Sequence, residues 1–242
     1  ASEIIGVDNN PQHANIATLS KSVDRTTTME EAVETAELII LATPIDAGKI
    51  LLPEILDQCT GTSKVVTDVG STKAGLAEMI TNHPNRKQYV ASHPMAGTEF
   101  SGPLAAISRL FDYKTAIICD SNNSSEQAIA LIQKMYDALH MKIIFMDSRE
   151  HDVSAAYVSH ISHLSAFALS LAVLEKEKDE KRILDLASGG FASTVRLAKS
   201  SAEMWVPVFH QNSEYVLEVL DTYIEKLLLF REAIHHKEDE KV

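Results

Sequence analysis

Hydrophobic and polar positions along the chain follow two different rhythms, and the change falls near residue 148. Before it, short apolar runs rich in β-branched residues recur at 3–8, 38–44, 64–69, 89–93, 114–120 and 142–147. Several are apolar at nearly every position, the pattern of strands covered on both faces of a mostly parallel sheet. The stretches between them read as helices with visible starts. Thr28 and Glu31 have the spacing of a capping box ahead of residues 29–36, and Ser71 precedes the helical stretch 73–81. Strands alternating with helices predict an open α/β sheet over residues 1–147.

Residues 148–242 show no comparable strand and predict a helical domain. Residues 153–174 contain no Asp, Glu, Lys or Arg, a length that would suit a membrane span. His160, His163 and five serines lie within it, so the segment reads as the central helix of a bundle or dimer core rather than a membrane helix. Residues 213–236 form an amphipathic pattern, apolar at 216, 217, 220, 224, 227 and 228. The charged tail 237–242 is expected to fray.

Composition narrows the function classes. Of 242 residues, 45% are hydrophobic and 23% charged, which excludes a disordered or fibrous chain. Twenty-two basic residues against 34 acidic ones give a net charge of −12, a field that repels phosphate backbones and disfavours general nucleic-acid binding. Cys59 and Cys119 sit in separate apolar runs, which predicts free thiols and a reducing, cytoplasmic setting. No secretion signal is read at the start of the chain. Glycine is scarce, with nine residues and no Gly-x-Gly-x-x-Gly.

The candidate chemistry gathers at strand ends. Asp8 closes the first apolar run, where an acidic side chain either recognises ribose hydroxyls, favouring NAD over NADP, or caps the next helix. Thr43 and Pro44 end the second run at the carboxyl edge, where open α/β sheets bind ligands. Asp68-Val69-Gly70-Ser71-Thr72-Lys73 follows the third, with Ser71 placed either to cap a helix or to meet a ligand. His93 ends the fourth and is followed by Pro94, which keeps it on extended backbone; a histidine there suits proton transfer near neutral pH. In the second half, His160 and His163 lie three residues apart and with His151-Asp152 offer metal-ligand types, although two core histidines would look the same. Arg196 follows Gly189-Gly190 and suits either a carboxylate clamp or an ion pair. Trp205 reads as a core residue.

Taken in order, Gly6-Val7-Asp8-Asn9-Asn10, Asp68-Val69-Gly70-Ser71-Thr72-Lys73 and the string from His93-Pro94-Met95-Ala96-Gly97-Thr98-Glu99 to Gly102 resemble the prephenate dehydrogenase family, which includes arogenate dehydrogenases. His151, Val158-Ser159-His160-Ile161-Ser162-His163, Ser188-Gly189-Gly190-Phe191 with Arg196, and Met204-Trp205 extend the resemblance along nearly the whole chain. It implies an NAD-binding Rossmann-like domain over 1–147 and an all-helical dimerisation and substrate domain over 148–242. It also implies NAD-dependent oxidative decarboxylation of prephenate to 4-hydroxyphenylpyruvate in tyrosine biosynthesis. His93 would be the catalytic base and Ser71 its neighbour; His163, Arg196 and Glu99 would contact substrate, and Asp8, Thr43, Pro44 and Asp68 the cofactor. No metal is expected. The family's first strand and glycine-rich turn have no counterpart after Ala1, so the reading is a fold lacking its first βα unit of roughly 25–35 residues. Three other readings stay open: an arogenate dehydrogenase, a non-catalytic dinucleotide-binding module, and a metal-dependent hydrolase built on His151, His160 and His163.

Overall fold

The computed structural model describes residues 3–180 and 182–237, so most of the charged tail lies outside the described residues. Two compact units emerge: Ala1–His151 with Ser200–Pro207, and Asp152–Lys199 with Val208–Val242.

The first unit begins with β1 (Ile5–Gly6), α1 (Pro11–Leu19), β2 (Arg25–Thr26) and α2 (Met29–Thr35). β1 and β2 pair in parallel as a small sheet of their own. A five-stranded sheet follows in chain order, from β3 (Leu38–Leu41), β4 (Val65–Asp68), β5 (Tyr89–Pro94), β6 (Thr115–Cys119) and β7 (Lys142–Met146). β3, β4 and β5 are parallel, β6 is antiparallel to β5, and β7 is parallel to β6. The helices are α3 (Ile45–Gln58), α4 (Ala74–Met79), α5 (Glu126–Ala138) and α6 (Ser148–Ala155), the last crossing into the second unit.

The unbroken apolar runs follow from cover on both faces. Successive residues of a strand point to opposite sides. Val66, Tyr89 and Ile117 therefore pack against Leu52, Leu56 and Leu76 of α3 and α4, while Val65, Val90 and Ile118 pack against Ala128, Ile132 and Tyr136 of α5. Both cysteines are free and buried in the first of these cores.

Helix starts show where local chemistry held. Thr28 Oγ1 accepts from Glu31 N at 3.3 Å, but the Glu31 carboxylate turns to Arg25 and Thr27, so only half of the expected capping box forms. α1 is capped by Asn10, which accepts from Gln12 N at 2.9 Å. Ser71 does not cap α4: Lys73 stands at that position, and no side chain caps the helix.

The division between units falls inside α6, four residues beyond the 147/148 junction expected from the sequence. The first turn of α6 belongs with the sheet because Ser148 N donates to Asp120 Oδ1 at 2.9 Å and His151 bonds a residue of β5.

The second unit continues α6 through a π-helical turn, Ala156–His160, into α7 (Ile161–Asp179). It also holds α8 (Gly189–Thr194), the end of α9 (Ala202–Gln211) and α10 (Ser213–His236), whose bounds match the amphipathic pattern. Its core is small: Ala156, Val216 and Val219 with Ile161, Leu164, Phe209 and Tyr215 around them. Many other apolar residues stay exposed, among them Val158 and Leu171 on the long helix and Leu227, Leu228, Phe230 and Ile234 on α10. The helix spanning Ser148–Asp179 is long and apolar enough to cross a membrane, yet only 11% of its most apolar window is buried within the chain.

Candidate active site

β3, β4 and β5 are parallel, so their carboxyl ends lie at one edge of the sheet. Thr43 and Pro44 follow β3, Gly70 to Lys73 follow β4, and His93 with Pro94 completes β5. A small depression at this edge is lined by Leu41, Thr43, Ile45, Gly48, Asp68, Gly70 and Leu76.

Beneath that edge lies a buried polar network. The Lys73 ammonium has no exposed surface; it pairs with Asp68 Oδ2 and donates to the Ser92 carbonyl at 2.8 Å. The Asp68 carboxylate also accepts from Gly70 N at 3.0 Å and from the Tyr89 hydroxyl at 2.5 Å. Ser92 Oγ donates to the Asp68 carbonyl at 3.0 Å and lies 2.6 Å from the Tyr136 hydroxyl. Burial pushes both phenols up, Tyr136 to about 12, and at Tyr89 the charge of Asp68 adds to the rise. Both remain protonated, so Tyr89 donates to the carboxylate.

Asp68, expected at the cofactor, lines the depression at the sheet edge and also has internal partners. Its carboxylate is committed to Lys73, Tyr89 and Gly70 inside the protein, because a buried carboxylate is tolerated only when paired and hydrogen-bonded. Asp68 is a clamp: both Gly70 and Lys73 close back onto it, and Ser71 is held between them. Ser71 is half-buried, and its hydroxyl makes no hydrogen bond among the described residues.

His93 is half-buried at the end of β5, next to the carbonyl that Lys73 holds. Its Nδ1 lies 2.9 Å from Nε2 of His151, a fully buried residue in the first turn of α6. The sequence offers His151 as a metal-ligand type and as part of the family resemblance, with no partner for it. Its pairing spans 58 residues, and the one local signal is its place just after an apolar strand. Asp8 is exposed; it accepts from Asn10 N at 2.7 Å and leaves the capping of α1 to Asn10. Thr43 and Pro44 are exposed and Glu99 is half-buried in the segment after β5.

In the second unit His163 Nδ1 lies 3.1 Å from the Ser159 carbonyl, and Arg196 is close enough for its charge to act on the ring. A carbonyl only accepts, so Nδ1 carries the hydrogen and Nε2 is the accepting nitrogen. Burial, with Arg196 adding to it, holds His163 below the usual histidine range and keeps it neutral. His160 is buried beside Asn212, whose Nδ2 lies 3.1 Å from His160 Nδ1 and donates to the Asp152 carbonyl at 2.7 Å. Among the described residues no three His, Cys, Asp or Glu side chains come together as a metal site, so His151, His160 and His163 do not form the cluster a hydrolase would need. Trp205 is buried, as expected of a core residue.

Comparisons with known proteins agree with this architecture. Residues 1–145 match the family model described as prephenate dehydrogenase, nucleotide-binding domain, and residues 147–242 match prephenate dehydrogenase, dimerization domain. A Bacillus subtilis (strain 168) prephenate dehydrogenase is 28% identical over 99% of this chain, which spans 65% of that relative's length. The crystal structure of prephenate dehydrogenase from A. aeolicus, in complex with hydroxyphenyl propionate and NAD+, is 27% identical with a TM-score of 0.85, over 99% of this chain and 84% of that one. Synechocystis arogenate dehydrogenase is 25% identical with a TM-score of 0.74, over 97% and 84%.

Two outcomes follow from the buried groups. Lys73→Met or Asp68→Asn alone should each cost about 3–5 kcal/mol in urea unfolding, because each strands a buried charge, and the double variant should recover part of the loss. Additive losses in the double variant would show that the two groups do not interact. The depressed His163 makes the unfolded chain bind more protons below the ordinary value of 6.5. Its contribution is complete above that value and is lost as pH falls toward the folded one. The Tm of His163→Gln should therefore fall less steeply than that of the parent between roughly pH 7 and pH 5.

Proposed function

The chain belongs to the prephenate dehydrogenase family, and we propose from that membership that it oxidatively decarboxylates prephenate to 4-hydroxyphenylpyruvate with NAD as hydride acceptor. The observation that carries the reading is His93, half-buried at the carboxyl edge of the sheet and bonded through Nδ1 to His151.

The residues at that edge fit a dinucleotide. Asp8 is exposed and not used as a helix cap, which suits ribose hydroxyls. Thr43 and Pro44 are exposed at the end of β3. At Gly70 an added Cβ would come within 3.1 Å of Asp68 and 3.3 Å of Ile45, so a larger residue there would press on the carboxylate that holds the turn. Bound there, NAD would supply the site that takes the hydride.

His93 accepts the proton of the ring hydroxyl at Nε2 as the hydride leaves the carbon that bears it. The ring carboxylate departs as carbon dioxide, and its bonding electrons make the ring aromatic. The proton then returns from His93 to the phenolate oxygen, so the ring hydroxyl is restored. Ser71 lies between two residues clamped on Asp68, and the reading assigns its hydroxyl the role of a hydrogen-bonding neighbour of His93. The substrate is a dianion and the chain carries a net charge of −12, so a local cation is required. Arg196 is exposed and supplies it. His163, neutral and accepting at Nε2, suits a substrate hydroxyl, and Glu99 is assigned as a further substrate contact.

Two finer points belong to the same reading. Arogenate differs from prephenate by an ammonium in place of the keto group, and the likeness to the Synechocystis enzyme makes it the second substrate to test. The exposed apolar residues of α7 and α10 support a homodimer through the helical unit, because patches of this extent mark an interaction surface. A cytoplasmic setting is consistent with two buried free cysteines.

Mixing the protein with prephenate and NAD+ should generate NADH, with a higher kcat/KM than for arogenate. His93→Asn should lower kcat by ~10²–10⁴-fold. Arg196→Ala should raise KM by roughly tenfold to a hundredfold, the value of a charge-assisted hydrogen bond of about 1.5–3 kcal/mol. Full turnover in His93→Asn would remove the base from the scheme. For the dimer, placing Asp at both Leu227 and Leu228 should halve the mass seen in sedimentation velocity.

A further inference from the structure

The His93–His151 contact joins two rigid elements. His93 stands on β5, in register with Ile117 of β6. His151 stands on the first turn of α6, whose start is held by Ser148 N donating to Asp120 and Arg149 N donating to Asp147 at 2.8 Å. The rings meet edge to face, with centroids 5.1 Å apart and planes inclined at 67°. His151 has no exposed surface, so water cannot take over the hydrogen bond if the pairing is lost.

Only one proton fits between two imidazole nitrogens 2.9 Å apart. If His151 donated it, neutral His93 would carry its own hydrogen on Nε2 and could not act as a base there. If His93 donates from Nδ1, its basic nitrogen is Nε2, and the imidazolium formed when Nε2 takes a proton keeps a charge-assisted hydrogen bond to His151.

We propose that His151 is a positioning residue: it accepts the Nδ1 hydrogen of His93, fixes the tautomer in which Nε2 is basic, and holds the ring against the sheet edge. The proposal rests on the reading of His93 as the base, and it assigns His151 no contact with substrate.

The first test reads the tautomer without turnover. In protein labelled with ¹⁵N-histidine, long-range ¹H–¹⁵N spectra should show His93 with a protonated Nδ1 and an unprotonated Nε2, the signals being assigned by their loss in His93→Asn. An Nε2-protonated His93 overturns the proposal. The second test is kinetic. His151→Leu should lower kcat by ~10²-fold or more while KM for prephenate stays unchanged. His151→Gln, whose side-chain oxygen can accept near the position of Nε2, should recover a substantial part of that kcat. A folded His151→Gln as slow as His151→Leu, or a loss expressed in KM, overturns the proposal. If the parent protein forms no NADH from either substrate, the proposed reaction fails, while the spectrum still decides the tautomer.

Discussion

Lys73 puts an ammonium group where no water reaches it, and much of the carboxyl edge of the sheet is organised by what that charge requires. A buried cation is tolerated only with a counter-charge and acceptors for its remaining hydrogens. Asp68, at the end of β4, supplies the first, and the Ser92 carbonyl on β5 supplies one of the second. The carboxylate in turn needs donors, which come from Gly70 N and the Tyr89 hydroxyl. Satisfying these groups therefore fixes the turn after β4 and the peptide just before His93 relative to each other. Ser71 and His93 inherit their positions from a network that neither belongs to.

The second unit solves a similar problem with one amide. The π-helical turn at Ala156–His160 interrupts the regular helical ladder in a helix that is otherwise apolar. Asn212 donates to the Asp152 carbonyl just ahead of that turn and meets His160 just at its end. A single side chain from the start of α10 thus satisfies both a backbone carbonyl and a buried ring. The rest of that unit has little core of its own, which is why its apolar residues sit at the surface of the isolated chain.

Strands were legible because a sheet covered on both faces makes every position apolar, and β4, β5 and β6 show that burial along almost their whole length. α10 was legible because its pattern is long and periodic. The two-residue β2 was not, since so short a strand carries no period to read. His93 could be picked out by its place before Pro94, but the internal partners of Asp68 could not. Whether a strand-end carboxylate faces ligand or protein depends on Lys73 and Tyr89, and neither spacing reveals that they converge on it. His151 was hidden for the same reason, since its partner lies on another element far along the chain. Arg196 after its glycine pair reads locally as either a carboxylate clamp or an ion pair, and only the family resemblance proposes a substrate role for it and for His163.

Three histidines, one in the first unit and two in the second, meet three different kinds of partner at Nδ1. His163 faces a backbone carbonyl, which can only accept, so its tautomer is dictated. His160 faces an amide nitrogen whose orientation is itself fixed by the Asp152 carbonyl, so its Nδ1 must accept. His93 faces another imidazole, a group able to donate or accept. A residue that only orients substrate gains from a fixed tautomer. A base must take up a proton and give it back, and a partner that tolerates both ring states without moving lowers the cost of each exchange. On the proposed reading His151 accepts the same Nδ1 hydrogen whether His93 is neutral or protonated at Nε2, so the ring need not move as the proton comes and goes.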